Sequence, residues 1–343
     1  MLRPSESRWD VIVVGAGPAG SVAASLLAKQ RYRVGLVHRT KPKSDWPEVL
    51  SPEGKLQLLE LGISEEQLSL VGKGCRGVME WLAADEPSVR DFELHHTATG
   101  CFVSRNSFAE MLRDHAIRLG AEAIAFNPLD SSQVRQARFV IDASGLSKPL
   151  DGAPKERLYL DRAVGICFHL GGMTLPEDFL HLTTLPSGWM YLLPGPAKMT
   201  TAVYITDKHW VRQNRADLEG ALRRNLESIL ACRSMFAGLS SIVCFGFRDA
   251  RTSCRRCLWR GNWLPIGDAA FAVNPITGSG LARSIRMASE GAKAVAEFLT
   301  SGDSDSLETF ACQQVVDFHS LANSIAKTPF VQLGIGPSVS HNF

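Results

Sequence analysis

The sequence predicts an α/β fold in which one parallel α/β domain is interrupted by an antiparallel sheet, and three observations predict it. A short apolar strand, a glycine-rich turn and a helical segment follow one another from Asp10 to about Gln30. Short alternating segments separated by proline and glycine replace this pattern between about residues 154 and 250. A strand, a second glycine-rich turn and a helical segment return after residue 258. One domain is therefore expected to be built from both ends of the chain.

The individual elements follow from the spacing of apolar residues. The predicted strands are Asp10–Val14, Arg33–His38, Phe139–Ala143, Gly188–Leu193, Thr200–Thr206 and Trp263–Ile266. The predicted helices are the segment up to about Gln30, Phe108–Leu119 and about Leu281–Leu299. In the last helix, apolar residues alternate four and three apart. One face of that helix is therefore expected to be buried.

These elements predict the domain boundaries. Residues 1–153 and 251–327 are expected to form the parallel α/β domain, with some strands of the second sheet near residues 75–104. Residues 154–250 are expected to form the inserted antiparallel sheet, which is the candidate substrate domain. Residues 328–343 are rich in glycine, proline and serine, which predicts either a mobile tail or a segment that covers part of a cleft.

Composition excludes several classes of partner. A net charge of +2 over 343 residues indicates neither a nucleic-acid partner nor an acidic membrane surface. The apolar run Val11–Ala28 contains three glycines, a proline and two serines, so it is not expected to span a membrane. Eight cysteines at irregular spacings indicate no disulfide framework. They favour a reducing, cytoplasmic location.

The first glycine-rich turn is a dinucleotide-binding fingerprint. Gly15-Ala-Gly17-Pro18-Ala19-Gly20 follows a strand directly and opens a helix. Gly15 permits a tight turn, Gly17 lets a pyrophosphate approach the backbone, and Gly20 lets the helix pack closely on the strand. The positive end of the helix then faces the phosphates. The sequence therefore predicts a Rossmann-type domain.

The second strand departs from the usual pattern at its end. An acidic residue normally binds the ribose hydroxyls there, but this chain has His38 followed by Arg39. A histidine can still hydrogen-bond a hydroxyl group. His38 and Arg39 are therefore candidate cofactor-binding residues, with a simple surface position as the alternative for His38.

The second glycine-rich turn carries a family resemblance. The strand before Gly267-Asp268-Ala and the Pro275-x-x-Gly278-x-Gly280 helix start resemble the second FAD motif of the class A flavin monooxygenases and the flavin-dependent halogenases. The resemblance implies that FAD is the cofactor and that Asp268 binds its ribityl chain. It also implies that Gly267, Gly278 and Gly280 belong to the FAD site, with the helix dipole beside the flavin ring.

Three further segments match that superfamily. Glu48 to Pro52 resembles a Gly-Glu-x-x-x-Pro segment near the flavin, although Pro47 replaces the glycine. Arg105 stands where an Arg-x-x-Phe-Asp helix start brings an arginine to FAD, and Gly145 ends a turn that resembles the Ala-Thr-Gly turn of halogenases. The resemblance implies that Glu48 lies near the flavin and that Arg105 and Gly145 contact the cofactor.

The segment Gly188-Trp189-Met-Tyr191-Leu-Leu-Pro194 resembles the Trp-x-Trp-x-Ile-Pro motif of halogenases, with Tyr191 replacing the second tryptophan. Trp189, Tyr191, Glu48 and Pro275 are therefore the substrate-pocket candidates. The alternative for Trp189 and Tyr191 is core packing on one face of a strand.

Halogenases also need a lysine that holds the halogenating species. This chain has Arg76 at the corresponding position, with Lys73 nearby. Because arginine is a poor substitute for such a lysine, halogenation of an indole or phenol is the alternative function.

Halogenase-like sequence without the lysine is similar to the flavoproteins that mature cysteine tryptophylquinone enzymes of the lysine oxidase and glycine oxidase type. The resemblance implies an FAD-dependent monooxygenase, with NADH or NADPH as a transient reductant, that hydroxylates a tryptophan of a partner protein. It names no catalytic residue. A prenyl-chain reductase, whose family shares the Ala-x-Gly turn, and a non-catalytic flavin-binding module remain as further alternatives.

Two other features carry weaker predictions. Cys254 and Cys257 form one Cys-x-x-Cys pair without a second pair, so no metal site is predicted and two unrelated thiols are favoured over a redox role. The arginines around them indicate a solvated basic face that could dock an acidic partner. These arginines are Arg248, Arg251, Arg255, Arg256 and Arg260.

Overall fold

The computed structural model describes residues 7–39, 45–81, 86–96, 98–125, 136–146, 154, 156–228 and 234–327. The predicted tail 328–343 lies outside the described residues. In chain order, the helices are α1 (Pro18–Lys29), α2 (Pro52–Glu60), α3 (Glu65–Val71), α4 (Phe92–His96), α5 (Arg105–Arg118), α6 (Lys208–Asn214), α7 (Leu218–Glu227), α8 (Gly280–Ser301) and α9 (Asp305–Ala326).

The strands fall into four sheets. They are β1 (Trp9–Val14), β2 (Val34–His38), β3 (Pro47–Leu50), β4 (Gly72–Cys75), β5 (Gly77–Trp81), β6 (Ser88–Asp91), β7 (Gly100–Ser104), β8 (Glu122–Ala125), β9 (Ala137–Asp142), β10 (Arg157–Tyr159), β11 (Ala163–Gly171), β12 (Phe179–Leu185), β13 (Gly188–Pro194), β14 (Met199–Asp207), β15 (Ser241–Asp249), β16 (Ser253–Arg255), β17 (Trp263–Pro265) and β18 (Phe271–Ala272).

The first sheet is parallel and has the order β17-β9-β1-β2-β8. Its central strand is the N-terminal β1, and the late strand β17 lies two places away, beside β9. Apolar side chains point to both faces of these strands, because helices or aromatic side chains cover each face. The order confirms that an early and a late segment of the chain share one sheet, and it confirms the predicted α/β class.

Helices α1, α5, α8 and α9 cover one face of this sheet. Leu27, Phe108 and Ile285 are buried against Val13 and Leu36 in the largest core cluster. The opposite face is buried under a smaller cluster that includes Trp9 and Trp263. The predicted four-and-three spacing is confirmed in α8, whose buried residues include Ile285, Ala288, Ala292 and Val295.

The large sheet has seven strands in the order β15-β11-β14-β13-β12-β5-β6. Its pairs are antiparallel except β12 with β5, which run parallel. The predicted antiparallel sheet is therefore present, and β5 and β6 join it from the N-terminal half of the chain. Helix α7 packs on one face through Leu222 and Leu226, and the other face turns toward the first domain.

Two three-stranded sheets join these layers. One has the order β3-β7-β4 and the other the order β10-β16-β18. Helix α2, which follows β3 in the chain, packs closely on α8: a Cβ at Gly54 would lie 3.0 Å from Ala282 Cβ in α8. The segment that holds Glu48 is therefore fixed beside the start of α8.

No helix in the described part of the chain combines the length and hydrophobicity that a membrane span needs.

Candidate active site

The first glycine turn is locked by backbone contacts. Gly15 has φ +111°, and a Cβ there would lie 2.3 Å from the carbonyl oxygen of Ala143. A Cβ at Gly20 would lie 1.7 Å from the carbonyl oxygen of Gly15. Only glycine fits at either position, because real side-chain carbons never approach a backbone oxygen so closely. The turn before α1 and the turn after β9 therefore touch.

Other glycines instead border open space. A Cβ built at Gly17, Gly145, Gly278 or Gly280 would meet no protein atom within 4 Å. Gly17 is the N-cap of α1, and Pro18 opens this helix. Exposed backbone at helix starts is what a phosphate-bearing ligand requires. Each of these four predicted FAD residues therefore leaves space beside its backbone, and they fit the group.

Asp268, the predicted ribityl-binding residue, is held in place by a buried arginine. Asp268 is half-exposed, and its Oδ1 accepts a hydrogen bond of 2.9 Å from Arg283 Nη2. Arg283 is buried, and its Nε and Nη1 have no hydrogen-bond partner among the described residues. Burial lowers the pKa of Arg283. The preceding Gly267 packs on α1, since a Cβ there would lie 3.0 Å from Ala19 Cβ.

A buried ion pair connects the turns. Arg255 Nη2 lies 3.1 Å from Asp142 Oδ2, with 4% and 0% of the two side chains exposed. Arg255 Nε also donates to the Ala269 carbonyl at 2.7 Å, and Arg157 Nη2 donates to the Asp268 carbonyl at 2.6 Å. The prediction of one solvated basic face is therefore wrong for Arg255. Its pairing with Asp142 comes from the fold and has no signal in the local sequence.

The end of β2 is partly open. His38 is half-buried and its Nδ1 lies 3.3 Å from the carbonyl oxygen of Arg39. Arg39 is exposed. Their roles in binding the adenosine end of FAD stay predictions.

A second group of side chains lies where the large sheet meets the FAD-binding region. We call it the interface cluster, and it consists of Trp46, Glu48, Arg105, Tyr191 and Arg248. Glu48 Oε1 accepts hydrogen bonds from Trp46 Nε1 at 2.9 Å and from Arg105 Nη1 at 2.7 Å. The guanidinium carbons of Arg105 and Arg248 lie 4.6 Å and 3.3 Å from the centre of the Trp46 ring. Both contacts are cation–π stacks.

Tyr191 and Arg248 extend from the sheet side of this cluster. Burial raises the pKa of Tyr191 to about 12, although the positive charge of Arg248 opposes the rise. Burial lowers the pKa of Arg248, while Tyr191, Cys167 and Glu48 favour its charged form. Arg248 keeps its charge, because a guanidinium is not deprotonated in proteins. The basic-face prediction is therefore wrong for Arg248 as well.

The predicted pocket residues are brought together in part. Trp189 and Tyr191 point to the same face of β13, with ring centres 5.8 Å apart, and Trp189 is 1% exposed. Pro275 opens a short turn before α8, and the following Ile276 packs against the same apolar cluster as Tyr191. Tyr191 and Glu48 thus lie in the interface cluster, while Trp189 lies in the core behind it. Sequence reasoning missed Trp46 and Arg248.

The two candidates for the halogenase lysine position lie elsewhere. Lys73 is 60% exposed and pairs with Glu177 at 2.6 Å. Arg76 is 54% exposed and pairs with Asp91 at 2.7 Å. Neither belongs to the interface cluster.

Cys254 and Cys257 are free thiols. Their sulfurs hydrogen-bond to different carbonyl oxygens, those of Arg255 and Trp259. Burial raises the pKa of Cys254 to about 11, so this thiol is protonated and a poor nucleophile near neutral pH.

Comparison with known proteins agrees with this geometry. Residues 8–132 match the model of the FAD binding domain family. Digeranylgeranylglycerophospholipid reductase 2 of Methanopyrus kandleri is 27% identical over 332 residues, which cover 85% of this chain and 79% of the reductase.

Solved structures extend the likeness to the whole fold. The myxobacterial chondrochloren halogenase, an FAD-dependent enzyme, has a TM-score of 0.80 at 20% identity and covers 95% of this chain and 83% of its own. A peptidyl tryptophan dihydroxylase essential for tryptophylquinone cofactor biogenesis has a TM-score of 0.72 at 19% identity, covering 96% and 76%. These structural neighbours are flavin oxidoreductases, and the predicted resemblance is confirmed. The chain therefore contains an FAD-binding domain and has the fold of the FAD-dependent halogenases and monooxygenases.

Proposed function

We propose that the chain is an FAD-dependent monooxygenase that hydroxylates an electron-rich aromatic ring, using NADH or NADPH as a transient reductant. The candidate substrate is a tryptophan of a partner protein, modified during the biogenesis of a quinone cofactor. The likeness to the peptidyl tryptophan dihydroxylase supports this choice of substrate.

The observation that carries the proposal is the interface cluster. It presents an aromatic, hydrogen-bonding and charged wall where the large sheet meets the turn before α8. Such a wall suits a flat aromatic ring that carries a polar group. A long prenyl chain would favour an apolar channel, so the wall argues against the reductase activity of the Methanopyrus kandleri relative.

The placement of the two basic residues argues against halogenation. Lys73 and Arg76 are each engaged by a carboxylate and are largely exposed to solvent. A residue that handles a halogenating species must instead face the ring of the substrate. The likeness to the chondrochloren halogenase keeps halogenation as the second candidate.

FAD, when bound and reduced by the nicotinamide, would activate O2; one oxygen atom of O2 is then transferred to the ring and the other leaves as water. The residues of this chain position the substrate and exclude water. Tyr191 and the Trp46–Glu48 pair form the wall against which a ring can pack. An indole ring is electron-rich enough to take up oxygen without a strong base. The site therefore needs orienting groups more than a proton acceptor.

The test starts from the FAD-loaded protein under anaerobic conditions. NADH and NADPH are titrated separately while the flavin absorbance is followed, and O2 is then admitted in the presence of a tryptophan-containing peptide. We expect the flavin to bleach and recover, and the peptide to gain the mass of one or two oxygen atoms. The same reaction with bromide present tests halogenation directly.

Two results would contradict the proposal. One is a brominated product with no hydroxylated product. The other is reduction of a polyprenyl substrate without oxygen uptake, which would assign the reductase function instead. A flavin that binds but never reacts with oxygen would indicate a non-catalytic binding protein.

A further inference from the structure

Two hydrogen-bond donors of Arg248 have no oxygen or nitrogen acceptor among the described residues, and the weakly accepting Cys167 thiol lies nearby. These donors, Nε and Nη2, are shielded from solvent. These two atoms form one edge of the guanidinium, the edge that binds both oxygens of a carboxylate at once. A buried donor without a strong acceptor is unfavourable, so a ligand that fills this edge is favoured.

The orientation of this edge is fixed before any ligand arrives. The guanidinium of Arg248 stacks on Trp46 at 3.3 Å from the ring centre, and Trp46 is itself held by its hydrogen bond to Glu48. On the sheet, Arg248 pairs in register with Gly165, and a Cβ at Gly165 would lie 3.5 Å from Arg248 Cβ, so the neighbouring strand packs against the base of the arginine. A pre-oriented planar donor loses little freedom when it binds an anion.

The charge of the interface cluster also favours an anion. Arg105 and Arg248 contribute two positive charges and Glu48 one negative charge, because burial keeps Tyr191 and Cys167 protonated. Glu48 is already paired with Arg105 at 2.7 Å, and no ion pair joins Arg248 to any described carboxylate. One positive charge is left uncompensated in a half-buried place, where charges interact more strongly than in water.

We propose that the Nε–Nη2 edge of Arg248 binds a carboxylate of the substrate, so the substrate class is an aromatic compound or peptide with a carboxylate close to the ring that is modified. The ring chemistry in this inference rests on the proposed function, whereas the binding of a carboxylate to Arg248 does not. The carboxylate has two sources that share this chemistry. It is either that of a free aromatic acid or that of an acidic side chain beside the target tryptophan.

The test is calorimetric titration of the oxidised, FAD-loaded protein, which needs no turnover. The probes are indolepropionate and indolepropionamide, which match in shape and differ in charge. We expect the wild type to bind the acid more tightly than the amide. We expect Arg248→Gln to weaken binding of the acid about 10- to 100-fold and to leave the amide within about twofold. Arg248→Lys keeps the positive charge but loses the planar pair of donors, so its affinity for the acid should lie between those of the wild type and Arg248→Gln.

The matched control is Arg251→Gln. Arg251 follows closely in the chain, but it pairs with the carboxylate of Asp249 at 2.5 Å. This variant should bind both probes as the wild type does. Flavin absorbance of each variant reports its FAD content and shows whether Arg248 serves the cofactor instead.

A second pair of probes identifies the source of the carboxylate. They are N-acetyl-glutamyl-tryptophanamide and its glutaminyl counterpart. Binding of indolepropionate that depends on Arg248 supports a free acid, and Arg248-dependent preference for the glutamyl peptide supports an acidic side chain of a protein.

Three outcomes would overturn the inference: equal binding of acid and amide probes in both pairs by the wild type, an unchanged preference in Arg248→Gln, or loss of FAD from Arg248→Gln. The two proposals can fail separately. Arg248-dependent binding of the acid without oxygen transfer contradicts only the monooxygenase function. Oxygen transfer that depends neither on the charge of the substrate nor on Arg248 contradicts only the carboxylate site.

Discussion

The glycine turns that carry the predicted FAD residues and the interface cluster are built on opposite principles. In the turns, the decisive contacts join backbone atoms, such as the 1.7 Å approach that a Cβ at Gly20 would make to the Gly15 carbonyl oxygen. In the interface cluster, side chains from β3, α5, β13 and β15, and from the residue before β3, meet across the molecule. The Gly15–Gly20 contact is determined within six consecutive residues, whereas the interface cluster exists only in the folded chain.

This difference explains which residues a sequence discloses. A tight turn restricts its residues to glycine, so its signature stays visible in the chain. A side-chain cluster assembled from distant segments places no constraint on the neighbouring residues in the sequence, so it leaves no recognisable motif. Four predictions test how far the contrast holds, in order of decreasing expected effect.

The largest effect is expected at the Arg255–Asp142 pair. This pair tests the contrast between backbone and side-chain contacts, because side chains support the turns there. Arg255→Gln leaves a buried carboxylate without its cation, and we expect a loss of about 3–5 kcal/mol in the free energy of unfolding. Urea unfolding followed by circular dichroism measures it. The control is Arg256→Gln, since Arg256 and Glu156 are exposed and 3.8 Å apart, and we expect a change below about 0.5 kcal/mol. Equal stability of the two variants would show that the turns hold without the ion pair.

A smaller effect separates two glycines of the same turn. Gly20→Ala forces a Cβ against backbone and should destabilise the FAD-free protein by about 2–3 kcal/mol. Gly17→Ala places its Cβ in open space, so the FAD-free protein should keep its melting temperature while FAD binds more weakly. Calorimetric melting and FAD titration of both variants provide the measurements. If the Gly17→Ala variant bound FAD normally, the pyrophosphate would not bind at Gly17.

The third prediction compares the two faces of the large sheet. Burial raises the pKa of Tyr204, on the helix-covered face, to about 12, although Asn225 donates a 3.2 Å hydrogen bond to its hydroxyl. The unfolded chain ionises near pH 10 and the folded one near 12. This tyrosine therefore stabilises the fold fully below about pH 10, and its contribution, on the order of 1–2 kcal/mol, is lost as pH rises toward 12.

Urea unfolding between pH 9 and pH 11 should accordingly show that the free energy of unfolding declines less steeply with pH in Tyr204→Phe than in the wild type. Tyr191→Phe is the matched variant on the other face, because burial also raises the pKa of Tyr191 to about 12. Tyrosinate absorbance assigns each ionisation. A decline that is identical in all three proteins would refute the shifted pKa values.

The smallest effect is expected at His38. A carboxylate accepts hydrogen bonds from ribose hydroxyls more strongly than an imidazole does. His38→Glu should therefore tighten FAD binding by about 1 kcal/mol, or roughly fivefold in Kd, as measured by flavin fluorescence. His38→Ala should weaken it by a similar or smaller amount. No change in either variant would place His38 outside the adenosine site.

The secondary structure around the cofactor was predictable because its constraints are local. The strand Trp9–Val14, the helix Pro18–Lys29 and the helix Gly280–Ser301 lie within two residues of the predicted bounds, since apolar periodicity and glycine turns mark them. The helix Asp305–Ala326 was not predicted. Its buried residues Leu307, Phe310, Gln314 and Phe318 follow helical spacing, but a glutamine interrupts the apolar face and the apolar Val315 and Val316 are exposed, so the pattern is weak in the sequence.

The site divides in the same way. Gly17, Gly145 and Gly280 were named from motifs, and each borders open space. Trp46 and Arg248 were missed, because their meaning lies in the contact between them and not in their neighbours along the chain. Arg248 in particular looked like one of several solvated arginines until the sheet brought it over Trp46.

The central position of β1, two strands from the late β17 and packed under α1 and α8, has a consequence for how the protein is made. A ribosome releases the first fingerprint early, but Gly280 and α8 emerge only after the whole large sheet. The nascent chain therefore has no complete FAD site while that sheet forms, and the sheet must hold together on its own contacts. If the predicted FAD residues bind the cofactor, we expect FAD to bind only after α8 has been synthesised.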